Sequence, residues 1–523
     1  MIGVKRTLAI RGRYGPYIGG SFVSGTGQER VSAFTIFNPA TSQAIASVTS
    51  SSTSDVDDAL GLAQKAFDSG VWSRASQHAR AKVLSRLSSA LAERVSEFAL
   101  IESVQTGRTL REMNAQLGRL PEWLEYFASL LRTQGGFLAP TQGPLLNYVK
   151  RIPLGVVAQI TPFNHPLLIA IKKIAPALAA GNSVIVKPSE LAPISVLEFA
   201  QMASEAGVPS GVLTILPGGP EVAKTLVASP ILRKVDITAG TNTGRAIGGV
   251  VGNNIASYTA ELGGKAPIVV FSDADVESAI NGVAFAAFIA SGQTCVSGTR
   301  LILQDGVYDV FMERFLQKVQ SITKRIGDPL NLKSSMGTVI HAKQVARIDH
   351  LLSNRSQSAK IVAGGHKLTG KSSLDSFDLS SGSFYAPTVV TDVEVEDELW
   401  QEEIFGPVIV VKRFATEDEG IRLANASRYG LGAGVWTSDL SRAHRAAQEI
   451  DAGLVWVNTH HRNDPSSPWG GMKDSGIGRE NGIEAYESYS QSKSIIINIS
   501  SASDTRTTDD WFAEDENVDR RYG

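Results

Sequence analysis

Apolar and polar residues alternate through the stretch YGPYIGGSFVSGTGQERVSAFTIFNPATSQAIASV, broken by Gly, Pro and Asn, and that pattern predicts hairpins. A helical period replaces it in STSDVDDALGLAQKAFDSG. There Val56, Ala59, Leu60, Ala63 and Phe67 share one face, between a Ser-x-x-Asp cap at Ser54 and Asp57 and a stop at Gly70. Helical periodicity runs on from Ser76 to Arg132, until the Gly- and Pro-rich TQGGFLAPTQGPLLNYVKRIPLG breaks it with strand-like residues around Leu145 to Val149.

From Gly155 onward short apolar runs alternate with helical ones. VVAQI, SVIVK, VLTIL and KVDI are separated by LLIAIKKIAPALAAG, ISVLEFAQMASEAG and EVAKTLVAS, which predicts an α/β fold with a parallel sheet clad by helices. A second α/β region offers PIVVF, RLILQ, APTVV, VIVVKRF, GAGVWT and GLVWVN as strands. YSQSKSIIINI reads as a strand without a partner nearby in sequence. The last 23 residues, with seven acids and three arginines, read as a tail anchored by Trp511 and Phe512.

A chain of 523 residues is too long for one core, so two or three units are expected. Fifty basic and 52 acidic residues leave a net charge of -2, so no global field draws in nucleic acid or an anionic membrane. One cysteine forms no internal disulfide, and no apolar run approaches the roughly 20 residues of a bilayer span. These features predict a cytoplasmic protein with no nucleic-acid or membrane partner. The opening MIGVKRTLAIRGR is basic like an import sequence but lacks an apolar core, and ordinary terminal disorder is the alternative. Eight scattered histidines without a ligand set predict no metal site.

Four stretches carry chemistry that a core does not need: ITPFNHP, VIVKPSE, TAELGGK and SGQTC. Cys295 is either a small buried hydrophobe or, in its Gly-rich polar setting, a nucleophile. Glu261 ends a strand-like run; it is a solvated carboxylate or the base that activates water beside a thioester. Asn164 is a turn former or an oxyanion donor. Lys187 and Glu190 form a surface ion pair or bind ribose hydroxyls. Gly240 and Gly244 precede a helix-compatible run where backbone N–H groups could meet a phosphate, but their spacing is not that of the dinucleotide fingerprint.

Taken together, GQTC with Arg300 five residues later, ELGGK, PWGGMKDSGIGRE, EEIFGPV, TPFNHP and KPSE resemble the motifs of the aldehyde dehydrogenase superfamily, in that family's order, from Tyr17 to Ile499. The resemblance implies two Rossmann-like parallel-sheet domains plus a small β bridging domain. It divides the chain into a cofactor domain (14–134 and 155–262), a catalytic domain (263–470), an oligomerisation domain (135–154 and 484–499) and the tail (500–523). It implies a small-molecule aldehyde as substrate, and a homodimer or homotetramer.

By the same resemblance Cys295 is the nucleophile, Glu261 the general base, and Asn164 with the Cys295 backbone N–H the oxyanion hole. Lys187, Ser189, Glu190, Glu403 and Phe405 fall on cofactor positions, as do Ile160, Thr161, Pro162 and Phe163 of the first turn. Leu262 and the loop residues Gly240, Thr241 and Gly244 join them. ITAGTNTG puts Gly240 where many members carry a phosphate-binding serine, with Thr241 as a substitute. Glu190 beside the adenine ribose favours NAD over NADP. His165, Ile289 and Thr294 are expected near the aldehyde. NTHHRNDPSSPWGG brings His461, Arg462, Asn463 and Trp469 to the substrate entrance, which points to a polar or anionic tail near Arg462. The rival readings are a CoA-acylating semialdehyde dehydrogenase, against which the retained Glu261 argues, and a silent binding protein of the same fold.

Overall fold

The computed structural model describes residues 10–23 and 32–514. Most of the basic opening, through residue 9, and the tail from 515 lie outside the described residues.

Two parallel sheets dominate the chain. The first contains β1 (Val156–Ile160), β2 (Ser183–Lys187), β3 (Leu213–Ile215), β4 (Leu232–Thr238) and β5 (Ser257–Glu261), in the order β5-β4-β1-β2-β3. Gly476–Ile477 extends it antiparallel beside β5, and Tyr17–Ile18 does so beside β3. Strands β1 and β2 are buried at every residue, as near-continuous apolar runs must be when helices cover both faces. The order reverses between β1 and β4, and the crevice at their C-terminal ends is where open α/β sheets bind ligands.

Helix α1 (Pro166–Ala180) follows β1 and is buried over its whole length, so its two lysines need partners. Lys172 Nζ meets Glu480 at 2.6 Å. Lys173 Nζ lies 2.6 Å from the other oxygen of Glu480 and also pairs with Asp236 on β4.

The second sheet contains β6 (Ala266–Val270), β7 (Gly298–Gln304), β8 (Thr388–Thr391), β9 (Val408–Phe414), β10 (Gly432–Trp436) and β11 (Leu454–Val457). Their order is β8-β9-β7-β6-β10-β11, all parallel, with Lys360–Ala363 antiparallel at the β8 edge. Only residues 262–265 join β5 to β6. The N-terminal rim of the second sheet therefore faces the C-terminal rim of the first.

The two segments without neighbours in sequence are partners of each other. Ser490–Asn498 pairs antiparallel with Leu145–Pro153 along its whole length, and Phe137–Leu138 adds a third strand. Phe137, Leu138, Ile496 and Ile499 on this arm are all more than half exposed.

Two local expectations need correction. The first helix is capped two residues earlier, by Ser52 and Asp55, whose side chains and backbone N–H groups bond reciprocally. Ser52 and Ser54 both satisfy the same Ser-x-x-Asp pattern, and the earlier start adds half a turn of helix. The tail is not wholly irregular: Ala502–Thr508 is a short helix, and Phe512 is 97% exposed, so it anchors nothing.

Glu102, in the helix Val95–Thr106, ties that helix to the start of α1: its Oε1 accepts from Leu167 N–H at 3.0 Å and from the Ser195 hydroxyl at 2.5 Å. Its Oε2 is buried without a partner. Burial, only partly offset by these bonds and by Arg108, raises its pKa from 4.5 to about 7. The folded chain thus holds this proton after the unfolded chain has lost it. This contribution to stability declines as pH rises from about 4.5 to 7 and is lost above that, a penalty of roughly 3 kcal/mol. Glu102→Gln removes the titration, so thermal denaturation at pH 8 should show the variant gaining on the parent relative to pH 5. A difference in Tm that is the same at both pH values would refute the assignment.

Candidate active site

Glu261 is the last residue of β5, and Cys295 stands three residues before β7, so the rim-to-rim arrangement brings both to one seam. The turn that presents Cys295 is unusual. Ala290, Ser291 and Gly292 all have left-handed backbone, with φ of 53°, 54° and 72°. Each non-glycine residue there costs roughly 1–2 kcal/mol, so the surroundings must enforce the conformation. Ala290 N–H donates to the Glu112 carboxylate at 2.6 Å, and Glu112 is paired with buried Arg108 at 2.9 Å. A Cβ at Gly292 would meet the Gly406 carbonyl oxygen at 2.0 Å, and one at Gly264 would meet the Cys295 carbonyl oxygen at 2.1 Å. Backbone presses on backbone from both sides of the turn.

Asn164 follows β1 and donates from Nδ2 to the Gln293 carbonyl at 2.7 Å. Gln293 Oε1 in turn accepts from Ile340 N–H at 2.9 Å. The Asn164 amide is thus fixed beside the thiol with a second N–H left over.

Cys295 and Asn164 stand at the inner end of a cleft of about 410 Å³ that runs along the switch point of the first sheet. Lys187 and Glu190, paired at 3.2 Å, line it with Ser189. Ile160, Thr161 and Pro162 line it too, and so do Gly240, Leu262 and Glu403. Phe163 and Phe405 meet edge to face across it at 5.7 Å. A larger hollow, about 690 Å³ between Arg74, Arg80 and Arg151, lies at the base of the β arm and touches none of these residues.

Thr241 and Gly244 do not line the cleft. The Thr241 hydroxyl donates to the Asp474 carbonyl at 3.2 Å, and Gly244 is packed so closely on Leu262 that a Cβ would come within 2.4 Å of its side chain. In their place Thr238, Ala239, Thr243 and Gly263 line it. Helix α2 (Thr241–Asn253) has Gly240 as its N-cap, with no side-chain cap and no atom within 4 Å of where a Cβ would stand.

On the far side of Cys295 the thiol packs with Trp456 and Trp469. The Trp469 ring lies 6.0 Å from His461, and His461 lies 6.2 Å from His165. Thr294 is buried and Ile289 half-buried in the nucleophile turn. Asn463 and Arg462 do not join this group. Asn463 Oδ1 accepts from Asn481 at 2.8 Å, and Arg462 is exposed, with its Nε on the Thr459 hydroxyl at 3.3 Å.

Sequence comparison meets this geometry from another direction: a model of the aldehyde dehydrogenase family matches residues 26–495. The chain belongs to the aldehyde dehydrogenase family. Membership makes it an oxidoreductase of aldehydes. It is similar to betaine aldehyde dehydrogenase from Staphylococcus aureus, solved with NAD+, at 34% identity over 94% of this chain and 95% of that one, with a TM-score of 0.89. It is likewise similar to an NAD-dependent aldehyde dehydrogenase from Sinorhizobium meliloti, at 32% identity over 97% and 98% of the two chains, with a TM-score of 0.91. PnpE, solved with nicotinamide adenine dinucleotide, shares 36% identity over 93% of this chain and 98% of that one, with a TM-score of 0.89.

Electrostatically this family member holds its site discharged. Burial, reinforced by Glu403 and Glu261, pushes the Cys295 thiol up to about 12. Burial and then Glu480 hold Glu261 well above the usual carboxylate range, and neither of its oxygens has a partner. Burial raises Glu403 to about 7, although Gly264 N–H donates to it at 3.1 Å. Among the described residues no cluster of three His, Cys, Asp or Glu side chains could hold a metal ion.

Because Cys295 is the only cysteine, thiol alkylation reads this one site. In the ligand-free protein, iodoacetamide labelling should be slow at pH 7 and still rising at pH 10. Glu403→Gln should speed it at pH 8 by removing the negative charge that, after burial, raises the thiol most. A labelling rate that levels off below pH 8, or a Glu403→Gln rate equal to the parent's, contradicts this picture.

Proposed function

We propose that the protein oxidises an aldehyde to its carboxylic acid with NAD, through a covalent adduct on Cys295. The observation that carries this reading is the meeting of Cys295, Asn164 and Glu261 on one seam at the end of a nucleotide-sized cleft.

The cleft suits a dinucleotide. Lys187 and Glu190 offer one donor and one acceptor for ribose hydroxyls, and the negative Glu190 disfavours a 2'-phosphate. The uncapped start of α2, with open space at Gly240, accommodates a diphosphate against backbone N–H groups. Because Thr241 Oγ is turned to the Asp474 carbonyl, those N–H groups replace the serine hydroxyl that Gly240 lacks. Phe405 and Glu403 flank the end nearest Cys295. When bound there, the nicotinamide supplies an acceptor for hydride.

The chain's own residues do the rest. Cys295 Sγ, once deprotonated, attacks the carbonyl carbon, and the free Asn164 N–H and the Cys295 backbone N–H receive the oxyanion. After oxidation Cys295 carries the acyl group as a thioester. Glu261, unpartnered and once ionised, takes a proton from a water that attacks the thioester, releasing the acid and the thiolate. The exposed apolar residues of the β arm suit pairing with a second copy, so we read the protein as a homodimer or homotetramer.

Incubating the protein with NAD and an aldehyde panel should generate NADH absorbance, and Cys295→Ala should abolish it. Glu261→Gln should give one fast turnover and then slow by at least about 100-fold, because only acyl release needs the base. A Cys295→Ala protein that turns over, or a rate that depends on added CoA, would overturn the reading.

A further inference from the structure

His165, immediately after Asn164, is 4% exposed, and its Nε2 is buried without a hydrogen-bond partner. Its Nδ1 lies 2.6 Å from Arg108 Nη1 and 3.0 Å from Gln116 Nε2. A guanidinium has donors only, so Nδ1 must be the acceptor and the ring proton must sit on Nε2. Arg108 is itself fixed by Glu112 at 2.9 Å, by Gln116 Oε1 at 3.0 Å and by the Asn164 carbonyl at 3.2 Å, and Gln116 Oε1 also lies 3.2 Å from the ring's Nδ1.

The unpaired donor stands on the route to the thiol. His165 faces His461, His461 faces both Trp469 and Phe285, Trp469 packs beside Cys295, and Phe285 is 44% exposed. These rings form a chain from the exposed Phe285 to the cluster against which Cys295 packs, and none of them lines the cofactor cleft. Leaving a buried N–H unpaired is unfavourable, and a site so built rejects ligands that cannot satisfy it.

We propose that His165 Nε2–H binds an oxygen acceptor on the tail of the aldehyde, so that the preferred substrates are aldehydes carrying a carboxylate or other acceptor oxygen away from the reacting carbon. The inference rests on the aldehyde oxidation proposed above and names its substrate class. Arg108 and Lys172 both act on the ring as positive charges, so a carboxylate is favoured over a hydroxyl. Burial, then Arg108, His461 and Lys172, hold the imidazole neutral, so the donor persists at assay pH.

The test compares kcat/KM for ω-carboxy-aldehydes, ω-hydroxy-aldehydes and unsubstituted alkanals of equal length across a homologous series. At one or more lengths the parent should favour the acceptor-bearing aldehyde by about tenfold or more, the worth of one buried hydrogen bond, with carboxylate above hydroxyl. His165→Phe should erase that ratio, and His165→Gln, which returns an N–H to a similar place, should restore part of it. As a check independent of variants, ω-carboxy acids should inhibit the parent more strongly than matched alkanoic acids. Alkanal oxidation with no acceptor preference at any length, or a ratio unchanged in His165→Phe, overturns this inference alone. No NADH from any aldehyde overturns it together with the proposed function.

Discussion

The buried salt-bridge cluster of Lys172, Lys173, Asp236 and Glu480 is the interaction on which the site most depends. Burial alone would raise Glu480, but the two lysines outweigh it and hold that carboxylate down to about 2. Removing one member of such a cluster strands a charge and costs about 3–5 kcal/mol. Its role is geometric as well. Glu480 exchanges backbone hydrogen bonds with Trp469 at 2.7 Å in both directions, so the cluster pins the 469–480 segment onto the first sheet. That segment brings Trp469 to Cys295 and adds the strand Gly476–Ile477 beside β5, whose last residue is Glu261. Cys295 from the second sheet and Glu261 from the first are thus registered by four charges set apart from both.

Registration also needs close backbone approach. Gly264 and Gly292 are occupied by the carbonyls of Cys295 and Gly406, and any side chain at either would force the rims apart. The left-handed run before Cys295 then follows from the closure: the chain must reverse from the helix Val276–Phe288 into β7 within a seam that offers no room for a wider loop. Glu112 and Arg108 hold that strain from outside, and the same Arg108 sets the proton position on His165. One buried guanidinium therefore supports both the turn that carries Cys295 and the ring of His165.

Much of the architecture was legible because parallel strands buried on both faces leave apolar runs that stand out: VVAQI, SVIVK and PIVVF became β1, β2 and β6 with their neighbours in the expected order of type. Glu261 and Lys187 stood out for a related reason, as charged residues at the close of apolar runs, and both end strands, whereas Cys295 stood out by its Gly-rich polar setting. No local pattern bridges the more than 300 residues between Leu145–Pro153 and Ser490–Asn498, and only the family resemblance put the two segments in one unit. Arg108, Glu112, Lys172 and Glu480 were missed for a different reason. A charge in a helical pattern reads as solvated, and only the tertiary structure shows that these are buried and paired. Thr241 and Gly244 carried cofactor roles by position in a motif, yet the first turn of α2 points one toward Asp474 and the other toward Leu262.

The discharged state of the site follows from the same enclosure. Cys295, Glu261 and Glu403 share one seam, and charge on either carboxylate makes the thiolate harder to form. Burial is the main cause of the upward shift in all three, so the enclosure that brings these groups together also suppresses their ionisation. A ligand that brings positive charge or new N–H donors into the cleft relieves that suppression, whereas one that only fills space deepens it.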